Sequence, residues 1–193
     1  MIRAIVFDCF GVLAIGTWSA FLDTLSPDID RKALHDLNRA HDAGILTHSQ
    51  FDDQIVALTG AHPRRIESVG LTDVHKNVRL LNYIRHELRP QYKTGILSNI
   101  SSDWITDTLL TPDEQTLFDI IIFSYQVGHA KPDPEIFQLT AERLEMSPQD
   151  ILFVDDIPAY VSAAQDCGIQ AVVYSDFHSL HQFFATNVRL KQN

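Results

Sequence analysis

The chain has 193 residues, of which 45% are hydrophobic and 21% charged, a composition typical of a globular protein that can bury its own core. Its formal net charge of -10 argues against nucleic acids and anionic membrane surfaces as partners, because binding them begins with Lys and Arg. Two isolated cysteines argue against a disulfide framework, and no apolar run has the length of a signal peptide or a transmembrane helix, so we expect a cytoplasmic protein.

Five short apolar runs predict buried strands. In chain order they are residues 2–7, 94–97, 120–123, 151–154 and 171–174. Helical spacing of apolar residues between these runs, as over residues 74–88, predicts helices that alternate with the strands. The alternation predicts an α/β fold, a Rossmann-like parallel sheet with helices on both faces.

Residues 16–72 break this alternation, because they carry only helical signals. Asp30 is suited to cap one helix, and residues 47–50 match a capping box that starts the next. We therefore predict an all-helical insertion over residues 16–72, in an α/β core formed by residues 1–15 and 73–193.

Polar side chains follow the first four predicted strands at their carboxyl ends. They are Asp8 after the first strand, Ser98 and Asn99 after the second, Lys131 after the third, and Asp155 and Asp156 after the fourth. An aspartate that ends a strand is usually a turn former or a helix cap. Ligands of open parallel sheets bind at this edge, however, so four such groups in series indicate a site.

The aspartates of this series suit a magnesium ion. Asp8 and one of Asp155 and Asp156 offer oxygen ligands, and Mg²⁺ needs only one or two carboxylates besides water and substrate oxygens. Without a cation, these carboxylates would repel a phosphate. On its reference pKa, Asp8 is expected to be ionised near neutral pH.

The remaining groups suit an anion. Lys131 precedes Pro132, so it stands on a stiff, extended approach to a predicted helix and offers a fixed positive charge. Ser98 and Asn99 precede helix-start residues, and the N-terminus of a helix provides free N–H groups for an anion.

In this order, the residues resemble the four motifs of the haloacid dehalogenase (HAD) superfamily. The resembling segments are residues 7–13, 97–99, 131–137 and 153–156. The inserted residues 16–72 resemble the small helical cap of that family. The resemblance implies a magnesium-dependent hydrolase, most simply a phosphatase that acts on a small phosphate ester through an aspartyl-phosphate.

The resemblance also implies a role for each residue. Asp8 is the nucleophile, Ser98 and Asn99 hold the phosphoryl oxygens, and Lys131 offsets negative charge on the nucleophile and the transferring group. The implied magnesium ligands are Asp8, the backbone carbonyl of Phe10, and Asp155 or Asp156. The substrate and the oligomeric state are not encoded in any motif.

Phe10 departs from the family pattern, in which phosphatases usually carry a second aspartate as general acid and base. Such acid–base help is typically worth about 10²- to 10⁴-fold in rate. Without it, the enzyme is expected to favour esters with good leaving groups, such as aryl phosphates or sugar 1-phosphates. Asp42 or Asp52 of the insertion are alternative acids, and the sequence does not favour one over the other.

Phe10 also raises two alternative functions. The 2-haloacid dehalogenases of the family carry an aromatic residue at this position, but they lack the metal-binding aspartates, so Asp155 and Asp156 favour the phosphatase. A catalytically impaired binding or regulatory protein is the second alternative, and it would have no reason to retain Asp8 and Lys131 together with that pair.

Overall fold

The computed structural model describes residues 1–15, 22, 25–42, 45–60 and 74–188. The strands of this part are β1 (Ala4–Phe7), β2 (Ala14–Ile15), β3 (His75–Lys76), β4 (Lys93–Ser98), β5 (Ile120–Phe123), β6 (Ile151–Asp155) and β7 (Gln170–Val173). The α-helices are α1 (Arg31–Asp42), α2 (His48–Thr59), α3 (Val78–Tyr83), α4 (Pro112–Gln115), α5 (Ser124–Val127), α6 (Pro134–Leu144), α7 (Pro158–Asp166) and α8 (Phe177–Asn187). Two π-helical segments, Ile84–Leu88 and Ile105–Leu109, and a 3₁₀-helix, Pro148–Asp150, complete the set.

Five of the strands form one parallel sheet in the order β5-β4-β1-β6-β7. Both faces of this sheet are buried. In β1, Ile5 and Phe7 pack into one hydrophobic cluster, and Ala4 and Val6 pack into another on the opposite face. Alternate side chains of a strand point to opposite faces, so the continuous apolar run is explained by helices on both sides. The predicted α/β fold is confirmed.

The sheet order places the carboxyl ends of four strands side by side. β1 lies at the centre between β4 and β6, and β5 is the next strand beyond β4. Asp8, Ser98 and Asp155 stand at or directly after the ends of β1, β4 and β6. Topology alone therefore brings these three side chains to the same edge.

A short two-stranded antiparallel sheet joins the residues before the insertion to those after it. β2 pairs with β3, with Ala14 opposite Lys76 and Ile15 opposite His75. The predicted helix over residues 74–88 begins later than expected, at Val78, because residues 75 and 76 form strand β3. Asn77 caps this helix, since its Oδ1 accepts a hydrogen bond from the Leu80 N–H.

Asn77 is buried and ties the turn after β1 to the rest of the core. Its Nδ2 donates to the Val12 carbonyl and to the Tyr174 hydroxyl, both at 2.8 Å. The turn between β1 and β2 is closed by the Cys9 carbonyl, which accepts from Leu13 and Ala14.

The described part of the insertion is helical. The Asp30 carboxylate accepts a hydrogen bond from the Ala33 N–H, and residues 47–50 form the predicted capping box. Gly60 ends α2 with a left-handed φ of 66°. The parts of the prediction at residues 16–21, 23–24, 43–44 and 61–73 lie outside the described residues. The domain boundaries stay a prediction.

Across the described residues, we find no helix that combines the length and the apolar character needed to cross a membrane.

Candidate active site

Lys131 is the centre of the polar cluster at the carboxyl edge of the sheet. Its side chain is 1% exposed, and its Nζ lies 2.7 Å from Asp8 Oδ1 and 2.6 Å from Asp155 Oδ2. The ammonium also lies 5.1 Å from the ring centroid of Tyr160 and 5.3 Å from that of Phe153. A cation within about 6 Å of an aromatic ring is attracted by its quadrupole. Lys131 is thus held by two carboxylates and two rings.

Asn99 fixes the backbone of Lys131. The Asn99 Nδ2 donates to the Lys131 carbonyl at 2.9 Å, and the Lys131 N–H donates to Asn99 Oδ1 at the same distance. This two-point clamp links the loop after β4 to the loop after β5, and the Lys131–Pro132 peptide bond is cis. The predicted contact of Asn99 with a phosphoryl oxygen stays a prediction.

Ser98 ends β4 and is fully buried, yet its hydroxyl oxygen has no hydrogen-bond partner among the described residues. A buried hydroxyl without a partner costs about 1–3 kcal/mol, so it marks a position where a ligand can complete the bonding. Its location beside β1 places it close to the end of the strand that carries Asp8.

Asp8, Asp155 and Asp156 form an acidic cluster that could hold a metal ion. Ligand oxygens of the three carboxylates lie within 4.8 Å of one another. Asp155 is oriented by the Ile157 N–H, which donates to its Oδ1 at 2.8 Å. Three converging carboxylates are the donor type that Mg²⁺ prefers.

Gly11 leaves the space that Asp156 occupies. A Cβ on Gly11 would lie 2.2 Å from Asp156 Oδ2, and the φ of 85° at Gly11 is itself unfavourable for other residues. The carboxylate therefore packs directly against the backbone of the turn that follows Asp8. This cradle, the three carboxylates and the unpartnered Ser98 hydroxyl together fit a divalent cation with a phosphate.

Burial and neighbouring charges shift the pKa values of the cluster. Burial raises the pKa of Asp8 to about 8, with Lys131 lowering it and Asp155 raising it. Burial and the Asp155 charge raise the pKa of Asp156 to about 6. Burial opposes the charge of Lys131, but Asp155 and Asp8 outweigh it and raise the pKa of this ammonium. The reference pKa is thus a poor guide to Asp8 in the cation-free site.

Phe10 lies in the turn after β1 and is half-buried. Its ring stacks on Trp104, with centroids 6.0 Å apart and an interplanar angle of 22°. The predicted role of the Phe10 carbonyl in binding a metal stays a prediction. Of the two alternative acids, Asp52 lies on α2, and the side chain of Asp42 is outside the described part of the chain.

Sequence reasoning missed Tyr160 and the clamp made by Asn99. Tyr160 lies in the first turn of α7, five residues after Asp155, so its proximity to the strand end was the available signal. The pairing of Asn99 with a backbone has no such signal, because it depends on how two loops approach each other. The structure does bring Asp8, Lys131, Asp155 and Asp156 together as predicted.

Comparison with protein families gives one match that spans most of the chain. A family model described as haloacid dehalogenase-like hydrolase matches residues 2–168.

Two curated proteins illustrate the sequence similarity. A phosphorylated carbohydrates phosphatase from Thermotoga maritima is 39% identical over 69 residues, which are 36% of this chain and 32% of that protein, so the match spans about a third of the relative. A D-ribitol-5-phosphate phosphatase from Bacteroides thetaiotaomicron is 28% identical over 192 residues, which cover 88% of this chain and 90% of that protein.

Solved structures share the fold. A HAD-family enzyme from Bacteroides thetaiotaomicron, crystallised as an alanine mutant with magnesium and inorganic phosphate, has a TM-score of 0.68 and 21% identity, covering 93% of this chain and 99% of that one. An L-2-haloacid dehalogenase from Xanthobacter autotrophicus has a TM-score of 0.67 and 17% identity, covering 97% and 84%. At these identities the likeness concerns the fold alone.

Proposed function

The chain belongs to the haloacid dehalogenase-like hydrolase family, and on that premise we propose that it is a magnesium-dependent phosphatase acting on a small phosphate ester. One observation carries the proposal: Lys131 contacts both Asp8 and Asp155, and Asp156 completes a carboxylate cluster around them. The phosphatase activities named for the two curated relatives support it.

The proposed reaction begins with Asp8. A carboxylate oxygen of Asp8 attacks phosphorus, the bond to the ester oxygen breaks, and the leaving group departs with the electron pair. Water then attacks the aspartyl-phosphate, which releases inorganic phosphate and restores the carboxylate. Mg²⁺, held by Asp8 with Asp155 or Asp156, would supply charge neutralisation and orientation.

The other residues position the phosphoryl group. The Lys131 ammonium stabilises the negative charge that develops on the nucleophile and the transferring group, and Asn99 keeps its backbone in place. The Ser98 hydroxyl, which has no partner in the described part of the chain, donates to a phosphoryl oxygen. Lys131 and Asn99 are already paired in the fold, so they lose little freedom when substrate binds.

Hydrolysis of a carbon–halogen bond is the second candidate, and Phe10 is the observation that favours it. A halide leaves without a proton, so an aromatic residue in place of an acid is no handicap to that reaction. Asp155 and Asp156 argue against this candidate, because displacement of a halide by Asp8 requires no divalent cation. A cluster of three carboxylates would then have no chemical role beyond its contact with Lys131.

A panel of phosphate monoesters, assayed with Mg²⁺ and with EDTA, tests the proposal beside halide release from 2-haloacids. We expect phosphate release that depends on Mg²⁺ and disappears in Asp8→Asn. Ser98→Ala should weaken phosphate binding without lowering the free energy of unfolding, because the hydroxyl makes no hydrogen bond to any residue that the structure describes. Halide release independent of metal would instead establish the dehalogenase, and no turnover in either assay would favour the binding or regulatory alternative.

The proposed partner is a small molecule. The net charge of -10 continues to argue against nucleic acid, and the cytoplasmic location remains part of the proposal because it was predicted from sequence alone.

A further inference from the structure

The carboxyl edge of the sheet has a charged side and an aromatic side. The charged side holds Asp8, Lys131 and the pair of Asp155 and Asp156. The aromatic side consists of the stacked rings of Phe10 and Trp104, which we call the aromatic platform.

The platform is positioned by two adjacent strands. Phe10 follows β1 by three residues, and Trp104 follows β4 by six, and these strands are hydrogen-bonded neighbours in the sheet. The same two strands carry Asp8 and the unpartnered hydroxyl of Ser98. The platform and the groups that the proposed function assigns to phosphoryl transfer thus follow the same two strands, with Phe10 two residues after Asp8 and Trp104 six residues after Ser98.

Both rings are half-buried rather than enclosed. Each packs against the main hydrophobic cluster, and neither is fully covered. The stacking angle of 22° leaves two nearly parallel rings side by side. Aromatic pairs of this geometry gain about 0.5–1.5 kcal/mol beyond the burial of area, and a third ring placed against them gains in the same way.

We infer that the aromatic platform binds the leaving group and that the preferred substrate is an aromatic phosphate ester. This inference rests on the proposed phosphatase function. The step balances without an acid at residue 10: the bond from Asp8 to phosphorus forms, the bond from phosphorus to the aryl oxygen breaks, and the electron pair leaves on a phenolate. A phenolate needs no proton during the step, unlike an alkoxide of a simple alcohol.

The first test separates aromatic contact from leaving-group acidity. Phenyl phosphate is compared with hexafluoroisopropyl phosphate, whose alcohol is about as acidic as phenol, and the ratio of kcat/KM for the two esters is measured with Mg²⁺. We expect a ratio above one in the wild type. In Trp104→Leu the ratio should fall by about two- to tenfold, and Trp104→Phe should retain most of it.

Phe177→Leu is the matched control. Phe177 is also half-buried, and its ring stacks on His181 with centroids 5.9 Å apart and an angle of 29°, but it lies at the start of α8, after β7. Loss of a stacked ring there should leave the ratio at the wild-type value. If Phe177→Leu lowers the ratio as much as Trp104→Leu, the effect comes from weakened packing and the platform is not involved.

Binding of two phosphonates tests the aromatic platform independently of turnover. Calorimetry with Mg²⁺ compares benzylphosphonate with cyclohexylmethylphosphonate, which has a similar shape but no aromatic ring. Tighter binding of benzylphosphonate that is lost in Trp104→Leu supports the platform, even if no ester is hydrolysed and the proposed function fails. Equal hydrolysis of both esters together with equal binding of both phosphonates refutes the platform and leaves the phosphatase standing.

Discussion

Replacing Lys131 with Met tests the central electrostatic contact of the site. The substitution keeps the apolar stem of the side chain but removes the ammonium that lies 2.7 Å from Asp8 and 2.6 Å from Asp155. Two carboxylates then remain buried without their cation. Breaking a buried ion pair from one side typically costs about 3–5 kcal/mol, so we expect a loss of that size in the free energy of unfolding of the metal-free protein.

The loss should depend on pH. Burial already raises the pKa of Asp8, and removal of Lys131 removes the group that lowers it. In the folded variant, Asp8 then keeps its proton to a higher pH than in the unfolded chain. The free energy of unfolding therefore falls as pH rises above the pKa of Asp8 in the unfolded chain. Because the pKa of Asp8 in the wild type is already about 8, the two proteins diverge above that value, and urea unfolding in EDTA should show a larger loss at pH 9 than at pH 6. Added Mg²⁺ should recover part of it, because the cation neutralises the same carboxylates.

Lys32→Met is the control for removal of a lysine. Lys32 pairs with Asp36 on the surface of α1, where its side chain is 87% exposed, and solvent screening leaves such a pair little effect on stability. The reasoning is refuted if Lys131→Met costs no more than Lys32→Met, or if its cost is the same at both pH values.

Three further predictions follow from other contacts. Gly11→Ala should weaken Mg²⁺ binding measured by calorimetry, whereas Gly60→Ala, which has a similar left-handed φ but no atom of the described residues within 4 Å of the added Cβ, should not; equal affinities in the two variants would show that the cradle is unimportant. The metal-free wild type should lose stability in urea as pH rises from about 4 towards 8, since the pKa of Asp8 is raised from 3.8 to about 8, and Asp8→Asn should flatten this slope; parallel slopes would contradict the assignment. Asn77→Ala should lower the free energy of unfolding by about 1–3 kcal/mol, because the carbonyl of Val12 and a hydroxyl lose a buried donor, and an unchanged urea midpoint would contradict this.

The sheet could be predicted because its strands are buried on both faces. A strand such as β1 must then be apolar at every position, and such short runs between helical patterns leave few other interpretations. Strand β3 at residues 75–76 could not be predicted, because a two-residue strand has no periodicity of its own. It is defined by pairing with Ala14 and Ile15, far away in sequence.

The convergence of the site could also be predicted, since parallel strands bring their carboxyl ends to one edge. The partners within the site could not. Strand order does not specify that the Asn99 amide closes on the Lys131 backbone, or that Tyr160 faces the ammonium. The pKa of Asp8 likewise depends on burial, which sequence position does not quantify.

The antiparallel pairing of β2 and β3 places residues 15 and 75 opposite each other, so the residues that precede and follow the insertion are held side by side. The entropy of closing a loop grows only slowly with its length, at about 0.6 kcal/mol per doubling. Lengthening, shortening or exchanging the insertion should therefore change the free energy of unfolding of the sheet very little. The insertion could therefore diverge in evolution while the carboxylates and the lysine at the sheet edge stay in place.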